Sequence, residues 1–514
     1  MKRKMLSRLM AASLAAIMTV GMAGCGDNTE QPNDGNQGGD TNQGGDTNQG
    51  GDTNQGGDTN QGGEVSPYGD PLIDPATGKT YDLGGMEITI ADWWSDPDGK
   101  VDPPTTDFGE AQLAYREWLM DTYNFTIKQA KKYEWGEAAG AANYEFVQAA
   151  TTGSDENYIY ILCPIASCVA AMQQGLMYDI STLDCIDLTE DKWTSSGEIF
   201  NWSIGNSVYC FYPDKTEPRN GLWFNKRLVE EAGYPASQLY EWQRNGEWTW
   251  DKFVEVMDAV QQKNTVNGEK QVYGCIQDNT QFIMMAVYSN GGSLVNKEAD
   301  GTFSLNVQSD ATVEALHWAV DTVLANYYHN YNPDGDNYIL YQELFRNGDS
   351  AFLCEGAYAG YTNGWLNGGG DESLRMKDDF GFLMFPKGPK ATDYVMNSSN
   401  NPVAIPSSYD ADKAWKIMFA YNLWTDPVPG HEDYFGILDN CYGGARDTET
   451  VEDTIKVMVN KGIMEWHALV NGLNHREPFL YQLYVGADVD QVIESVVPAW
   501  ETAINDTNAA LAGN

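Results

Sequence analysis

GLWFNKRLVEEAGYPASQLYEWQRNGEWTWDKFVEVMDAV, residues 221–260, carries the pattern on which the fold turns. Leu222-Trp223-Phe224 is a short apolar run suited to a buried strand. Asn225 is placed to cap a short helix from Lys226 to Ala232, closed by Gly233 with Pro235 just beyond. A polar connection follows. Thr249 is then positioned to cap a second helix, whose first turn holds Asp251 at the positive end of the dipole. Trp250, Phe253, Val254, Met257 and Val260 recur at helical spacing and give that helix one apolar face. The unit is α/β, with Trp223, Phe224 and Trp250 expected in a core.

These motifs, in this order, resemble the signature of family 1 of the extracellular solute-binding proteins, the sugar-binding receptors of bacterial ABC importers. The family's aromatic-Asn-Lys reads Phe224-Asn225-Lys226 here, and its Leu-x-x-x-Ala-Gly reads Leu228 to Gly233. Its Thr-Trp-x-acid-Phe aligns with Thr249-Trp250-Asp251-Lys252-Phe253, with Lys252 at the acid's position and Asp251 just before it. The resemblance implies an α/β, periplasmic-binding-protein-like (class II) fold of two lobes. Each lobe would be a mostly parallel sheet flanked by helices, with the ligand cleft between them.

Working outward, 514 residues suffice for a sizeable core, and 42% hydrophobic with 12% aromatic residues is a globular composition. A formal charge of −43 repels nucleic acid and anionic lipid, and favours a neutral ligand unless local Arg or Lys residues override it. Cys163, Cys168, Cys185, Cys210, Cys275, Cys354 and Cys441 are an odd set, several within apolar runs, and read as buried thiols. No CxxC or Cys/His cluster has zinc spacing, so neither a structural metal nor a cofactor is expected.

Residues 1–24 begin with Lys2, Arg3, Lys4 and Arg8, then run apolar from Leu9 to Met22, as a secretory signal does. Met22-Ala23-Gly24-Cys25 resembles a bacterial lipobox, with Met22 where leucine is usual, and makes Cys25 the expected lipidated residue. The hexad GGDTNQ starts at Gly38, Gly44, Gly50 and Gly56. It has nothing to bury, so 25–63 is expected to be a disordered tether spanning roughly 30–35 Å.

The solute-binding domain is expected over 64–514. Met86, Ile88 and Ile90 alternate with polar residues as a first strand, Ala111 to Thr122 has helical spacing, and Phe125 to Lys128 reads as a second strand. Tyr144 to Thr152 reads as helix, and Tyr158-Ile159-Tyr160-Ile161-Leu162 as a strand covered on both faces. This β-α-β-α-β order implies a parallel sheet. Further family segments follow at Gly175 to Ile180, Phe345 to Phe352 and Gly381 to Pro389. The resemblance puts lobe 1 at about 86–210 plus 403–445 and lobe 2 at about 213–400 plus 446–514. The chain would cross between them near Val208 to Pro213 and Val403 to Pro406. Near the end, Pro498 is expected to bend or break a helix that starts around Val489.

A sugar offers C–H faces to aromatic rings and hydroxyls to directed polar partners. Trp93 and Trp94 follow the carboxyl end of the first strand, the usual ligand edge of an open α/β sheet, and one of the pair should point inward. The resemblance adds Tyr358 as a stacking ring, Trp365 one loop further, Asn279, Gln281 and Phe282 before a helix ending at Gly291-Gly292, and Ser167 and Arg219 in bordering loops. Asp96-Pro97-Asp98-Gly99 and Asn332 to Asp336 lack EF-hand spacing and read as turns. No nucleophile elbow, phosphate loop or dinucleotide fingerprint occurs.

Three functions fit. The resemblance favours a monomeric, non-enzymatic receptor, lipid-anchored on the outer face of a Gram-positive-type cell. It would bind a mono- or oligosaccharide between closing lobes and deliver it to ABC permease subunits. A surface glycan-capturing lipoprotein without a permease would share the same sequence features. A glycosidase would need two carboxyl groups about 5–10 Å apart across the sugar.

Overall fold

The computed structural model describes residues 66–101, 103–134, 144–163, 166–197, 202–204, 206–277, 281–328, 340–397 and 400–512. The expected signal segment, lipobox, tether and Asn332-to-Asp336 turn lie outside them. Of the described residues, 66–81 belong to a unit of their own, in which Ile73–Asp74 pairs antiparallel with Lys79–Thr80, and a second unit begins at Asp82.

The strands of its two four-stranded sheets are β1 (Met86–Asp92), β2 (Phe125–Lys131), β3 (Tyr158–Ile161), β4 (Gly221–Asn225), β5 (Tyr273–Gln277), β6 (Ser350–Glu355), β7 (Phe380–Leu383) and β8 (Val403–Ala404). The helices used below are α1 (Asp107–Tyr123), α2 (Tyr144–Thr152), α3 (Ala166–Gln173), α4 (Lys226–Glu231), α5 (Ala236–Arg244), α6 (Trp250–Lys263), α7 (Gln281–Ser289), α8 (Asp310–His317) and α9 (Val489–Ala512). The first sheet has the order β8-β3-β1-β2. In it β1 is parallel to β2 and β3, and β8 antiparallel to β3, so the β-α-β-α-β reading holds.

The second sheet has the order β5-β6-β4-β7. Here β5 and β6 are parallel, while β4 runs opposite to both its neighbours, Phe224 facing Phe352 and Trp223 facing Phe382. β4 is buried throughout, as its apolar run implies. Trp223 stacks on Phe382 at 4.3 Å, and Phe224 meets Tyr240 at 5.6 Å.

Asn225 caps α4 as expected, its side chain accepting from the Leu228 N–H at 3.2 Å. Two expectations in the same stretch are corrected. Thr249 stands at the N-cap of α6 with extended backbone but makes no side-chain cap. Trp250 N–H donates to the Lys387 carbonyl at 3.0 Å instead, because Thr249 bridges to that strand-like segment. The polar connection is itself largely a helix, α5, which buries Leu239, Tyr240, Trp242 and Gln243. Their helical spacing is there to be read, but Ser, Gln and Glu between them mask it.

α5 has a further task. β7 is an edge strand, and its open side is met by side chains rather than by a fifth strand. Phe382 N–H donates to Thr450 Oγ1 at 3.2 Å, Met384 N–H to Gln243 Oε1 at 2.6 Å, and Thr454 Oγ1 donates to the Phe382 carbonyl at 2.7 Å. These bonds explain why Gln243, Thr450 and Thr454 are buried, and they leave that edge little capacity to pair with another chain. Pro498 does not break α9, which runs through it. Val492, Ile493 and Val496 before it and Trp500 and Ile504 after it are all buried, so packing on both sides holds the helix together. Seven described cysteines are free thiols, six of them buried.

Candidate ligand cleft

In a sheet of this kind ligands gather beyond the carboxyl ends of the strands. β1, β2 and β3 end at Asp92, Lys131 and Ile161, and β5, β6 and β7 at Gln277, Glu355 and Leu383. β4 starts where its neighbours end, Gly221 facing Glu355, because the chain arrives from the other sheet at that edge. The arriving segment, 211–220, lies beside the departing residues 396–397 and 400–403. Phe211 and Val403 exchange backbone hydrogen bonds at 3.1 and 2.8 Å. Glu217 N–H donates to Asn400 Oδ1 at 3.0 Å, and Met396 pairs in parallel with Gly462. Chain passing between the sheets thus forms one small ribbon that touches the carboxyl edge of each.

On the second sheet this edge is polar. Arg219 and Glu217 form an ion pair at 2.5 Å with both side chains about one-fifth exposed. The Arg219 guanidinium lies 5.3 Å from the centre of the Tyr358 ring. The Tyr358 hydroxyl donates to Glu355 Oε1 at 2.5 Å, and the same oxygen accepts from Gly356 N–H at 2.8 Å. A Cβ on Gly356 would sit 2.4 Å from the Tyr358 ring, so glycine is needed there for the ring to fold back over the backbone. Asn220 Nδ2 bridges Asn397 Oδ1 at 2.8 Å and Gln281 Oε1 at 3.0 Å. The Tyr361 hydroxyl reaches Glu217 Oε1 at 3.5 Å, and burial, with Glu217 second, holds that phenol well above its ordinary value. It is therefore a neutral donor at any physiological pH.

On the first sheet Asp92 ends β1 fully buried. Its carboxylate accepts from Trp94 N–H at 3.2 Å, Ser95 N–H at 3.0 Å, Ser95 Oγ at 2.5 Å and Gln129 Nε2 at 2.6 Å. Those bonds turn the chain at once, sending Trp93 inward and Trp94 outward. The Cys163 thiol just past β3 is pushed up to about 12, by burial first, while Arg476 and Arg219 act against that rise. Arg219 of the second sheet's edge and Cys163 of the first sheet's edge are thus electrostatic neighbours.

The sequence candidates divide accordingly. Tyr358, Arg219 and Gln281 come together on the second sheet's edge, and Trp94 is 48% exposed on the first. Trp365 is half-buried, edge-on to Tyr341 at 6.2 Å, with its indole N–H buried and unpartnered. Trp93 is corrected: it is buried, wedged against Trp94 at 4.7 Å and Tyr133 at 6.2 Å. Phe282 is corrected too. It is fully buried among Phe253, Trp318 and Phe385, because the first turn of α7 points it into the core rather than outward. Asn279 and the Ser167 side chain lie outside the described residues. Glu217, Asn220, Glu355, Asn397 and Asp92 were missed. Two left a signal: Asp92 and Glu355 each end an apolar run with a carboxylate, which a buried strand does not need.

Asp96-Pro97-Asp98-Gly99 is a turn, Asp96 Oδ1 accepting from Asp98 N–H at 2.8 Å and Lys100 N–H at 3.2 Å. Among the described residues no cluster of three His, Cys, Asp or Glu is set to hold a metal, and no helix is long and apolar enough to cross a membrane.

Two lobes joined by a shared ribbon, with a polar and aromatic edge at the join, define the architecture of a periplasmic-type binding protein. Residues 198–419 match the model of the bacterial extracellular solute-binding protein family. Among solved structures it is similar to the GacH receptor of Streptomyces glaucescens GLA.O, with a TM-score of 0.53 and 15% identity over 82% of this chain and 99% of that one. It is similar to the cyclic α-maltosyl-1,6-maltose binding protein of Arthrobacter globiformis, with a TM-score of 0.52 and 15% identity over 84% and 100%. The maltose-maltodextrin binding protein of Alicyclobacillus acidocaldarius gives 0.50 and 13% over 81% and 100%. No curated protein matches the sequence. At these identities the likeness concerns the fold.

The turn Trp466–Leu469 packs on both α3 and the strand Val295–Lys297. His467 and His475 lie ring to ring there at 4.3 Å. Burial, and secondly Arg476, depresses His475 to about 4; burial and then His475 hold His467 well below the ordinary value. Both fold neutral. The unfolded chain protonates these rings near pH 6.5 and the folded chain does not, so their contribution to stability is complete above about pH 6.5 and is lost as pH falls towards 4. Stability should drop by up to about 1.4 kcal/mol per pH unit per ring across that window. Denaturant midpoints measured from pH 7 to 5 check this, with His475→Gln expected to flatten the slope; an unchanged slope would show the pair to be silent.

Proposed function

We propose that this protein is a lipid-anchored, cell-surface receptor that binds a mono- or oligosaccharide in the cleft and hands it to ABC permease subunits. One observation carries the reading: a half-buried tyrosine ring, an ion pair and three amide side chains meet at the ribbon between two carboxyl-terminal sheet edges. Rings with directed donors and acceptors are what a polyol needs. The neighbours named for acarbose, a cyclic maltosyl-maltose and maltodextrin support the ligand class. The ribbon supports closure about hinges near Tyr209 to Pro213 and Asn401 to Ile405, with lobe 1 at 86–210 plus 403–445 and lobe 2 at 213–400 plus 446–514. A ligand drives closure by binding the closed form more tightly than the open one. Trp94, Arg219, Gln281, Tyr358 and Trp365 are its proposed contacts, and no catalytic step is assigned to them.

Anchoring rests on the basic, apolar and small-residue pattern that ends at Cys25, since two acyl chains hold a protein at a membrane where one does not. The test has two halves. Calorimetric titration of the full chain with neutral plant and host glycans should find a saccharide ligand, and X-ray scattering should then show a smaller radius of gyration. Fractionation of the cells should move the protein out of the membrane on Cys25→Ala. No binding across the panel would refute the ligand class, and an unmoved Cys25→Ala variant would refute the anchor.

A further inference from the structure

We infer that Glu217 is a specificity residue that cancels the charge of Arg219 and so restricts the cleft to uncharged saccharides. This rests on the saccharide reading above and narrows it. Arg219 lies over the Tyr358 ring, so any sugar stacked at that ring meets its guanidinium. That guanidinium is an obvious seat for a uronate or another acidic sugar, because it matches a carboxylate in shape and charge.

It is already engaged. Arg219 Nη2 and Glu217 Oε2 are 2.5 Å apart. Glu217 is also fixed from two other sides, by its own N–H on Asn400 Oδ1 at 3.0 Å and by the Tyr361 hydroxyl at 3.5 Å from its second oxygen. A second carboxylate, Glu355, sits beneath the same ring, 2% exposed and bonded to the Tyr358 hydroxyl and Gly356 N–H. Among the described residues these two glutamates face the one guanidinium over the ring, so the charges seen there leave no positive excess. A uronate would bring a third carboxylate into a partly buried site, giving up its hydration without gaining a cation.

An uncharged sugar meets no such penalty. Its hydroxyls can donate to the Glu217 carboxylate and accept from the Arg219 N–H groups, so the same pair that repels an acid offers both hydrogen-bond polarities to a polyol. Specificity then comes from what the site excludes as much as from what it attracts. Removing the Glu217 charge should shift the preference towards the acid.

The experiment compares maltotriose, cellotriose and laminaritriose with trigalacturonic acid by calorimetry, on the full chain and on Glu217→Gln. In the unmutated protein at least one neutral trisaccharide should bind, with trigalacturonic acid about tenfold weaker or worse. Glu217→Gln should move the acidic-to-neutral ratio by about tenfold towards the acid, and the acid's affinity should fall as salt is added. Arg219→Gln should produce no such gain. Tighter binding of trigalacturonic acid than of any neutral trisaccharide by the unmutated protein would overturn the inference while leaving the saccharide reading intact, and so would an unmoved ratio in a folded Glu217→Gln. Silence from all four sugars would overturn the saccharide reading, and this inference with it. Should Glu217→Gln fail to fold, the ratio in the unmutated protein decides.

Discussion

Trp250→Ala lowers the unfolding free energy by about 3–5 kcal/mol. The indole is 5% exposed and lies flat on Trp318, ring centres 4.1 Å apart with 4° between planes. Its N–H donates to Ser289 Oγ at 3.1 Å, and a Cβ on Gly388 would come within 2.8 Å of it, so α7 and the segment after β7 close round it without slack. Removing so large a side chain forfeits its transfer free energy and leaves a cavity that stacked aromatics cannot collapse into. Ser289 keeps a second bond, to the Ala286 carbonyl at 3.0 Å, so the loss is one of packing rather than of a stranded hydroxyl. Urea denaturation followed by tryptophan fluorescence and circular dichroism measures it. A midpoint shift worth less than about 1 kcal/mol would mean that the site relaxes, and the core assignment would fall.

Tyr358→Ala costs about 1–3 kcal/mol of saccharide binding, roughly a 5- to 150-fold loss, while shifting stability far less. The contrast follows from surroundings. Trp250 is enclosed on all sides, whereas Tyr358 is half-buried, resting on Gly356 with Arg219 near one face. Glu355 loses the phenol but keeps the Gly356 N–H, so no buried carboxylate is stranded by the change. Tyr358→Phe separates the two parts of the side chain. It retains the ring and drops the bond to Glu355, and should keep most of the affinity if stacking is the main term. Calorimetry on the folded variants gives both numbers. If Tyr358→Ala binds every glycan ligand as the unmutated chain does, the stacking site is elsewhere.

The elements with strong local patterns were legible in advance. β1, β3 and β4 announce themselves as apolar runs or alternation, Asn225 as a cap, and Gly233 as a stop with φ of +99°. What was misread depended on neighbours far away. Phe282 and Trp93 are aromatics near a supposed ligand edge, and whether such a ring faces solvent or core depends on which rings arrive from elsewhere. For Phe282 these are Phe253, Trp318 and Phe385. Thr249 has the residue type of a cap, yet its side chain makes no cap bond, and its backbone bridges to Lys387.

By itself the amino-acid sequence determined the α/β class, because strand and helix periodicities are local, while the two lobes were implied by the resemblance its linked motifs carry. It also determined the core role of Trp223, Phe224 and Trp250, whose spacing admits one buried face. Only the tertiary structure decided the polar half of the cleft. Asn220 meets Gln281 and Asn397 across 61 and 177 residues, and Glu217 meets Asn400 across 183. Polar residues in connecting segments carry no period and no propensity that distinguishes a ligand contact from a solvated turn. Their partners exist once the chain has crossed between the lobes and come back, and that return brings the ends of two sheets against one ribbon.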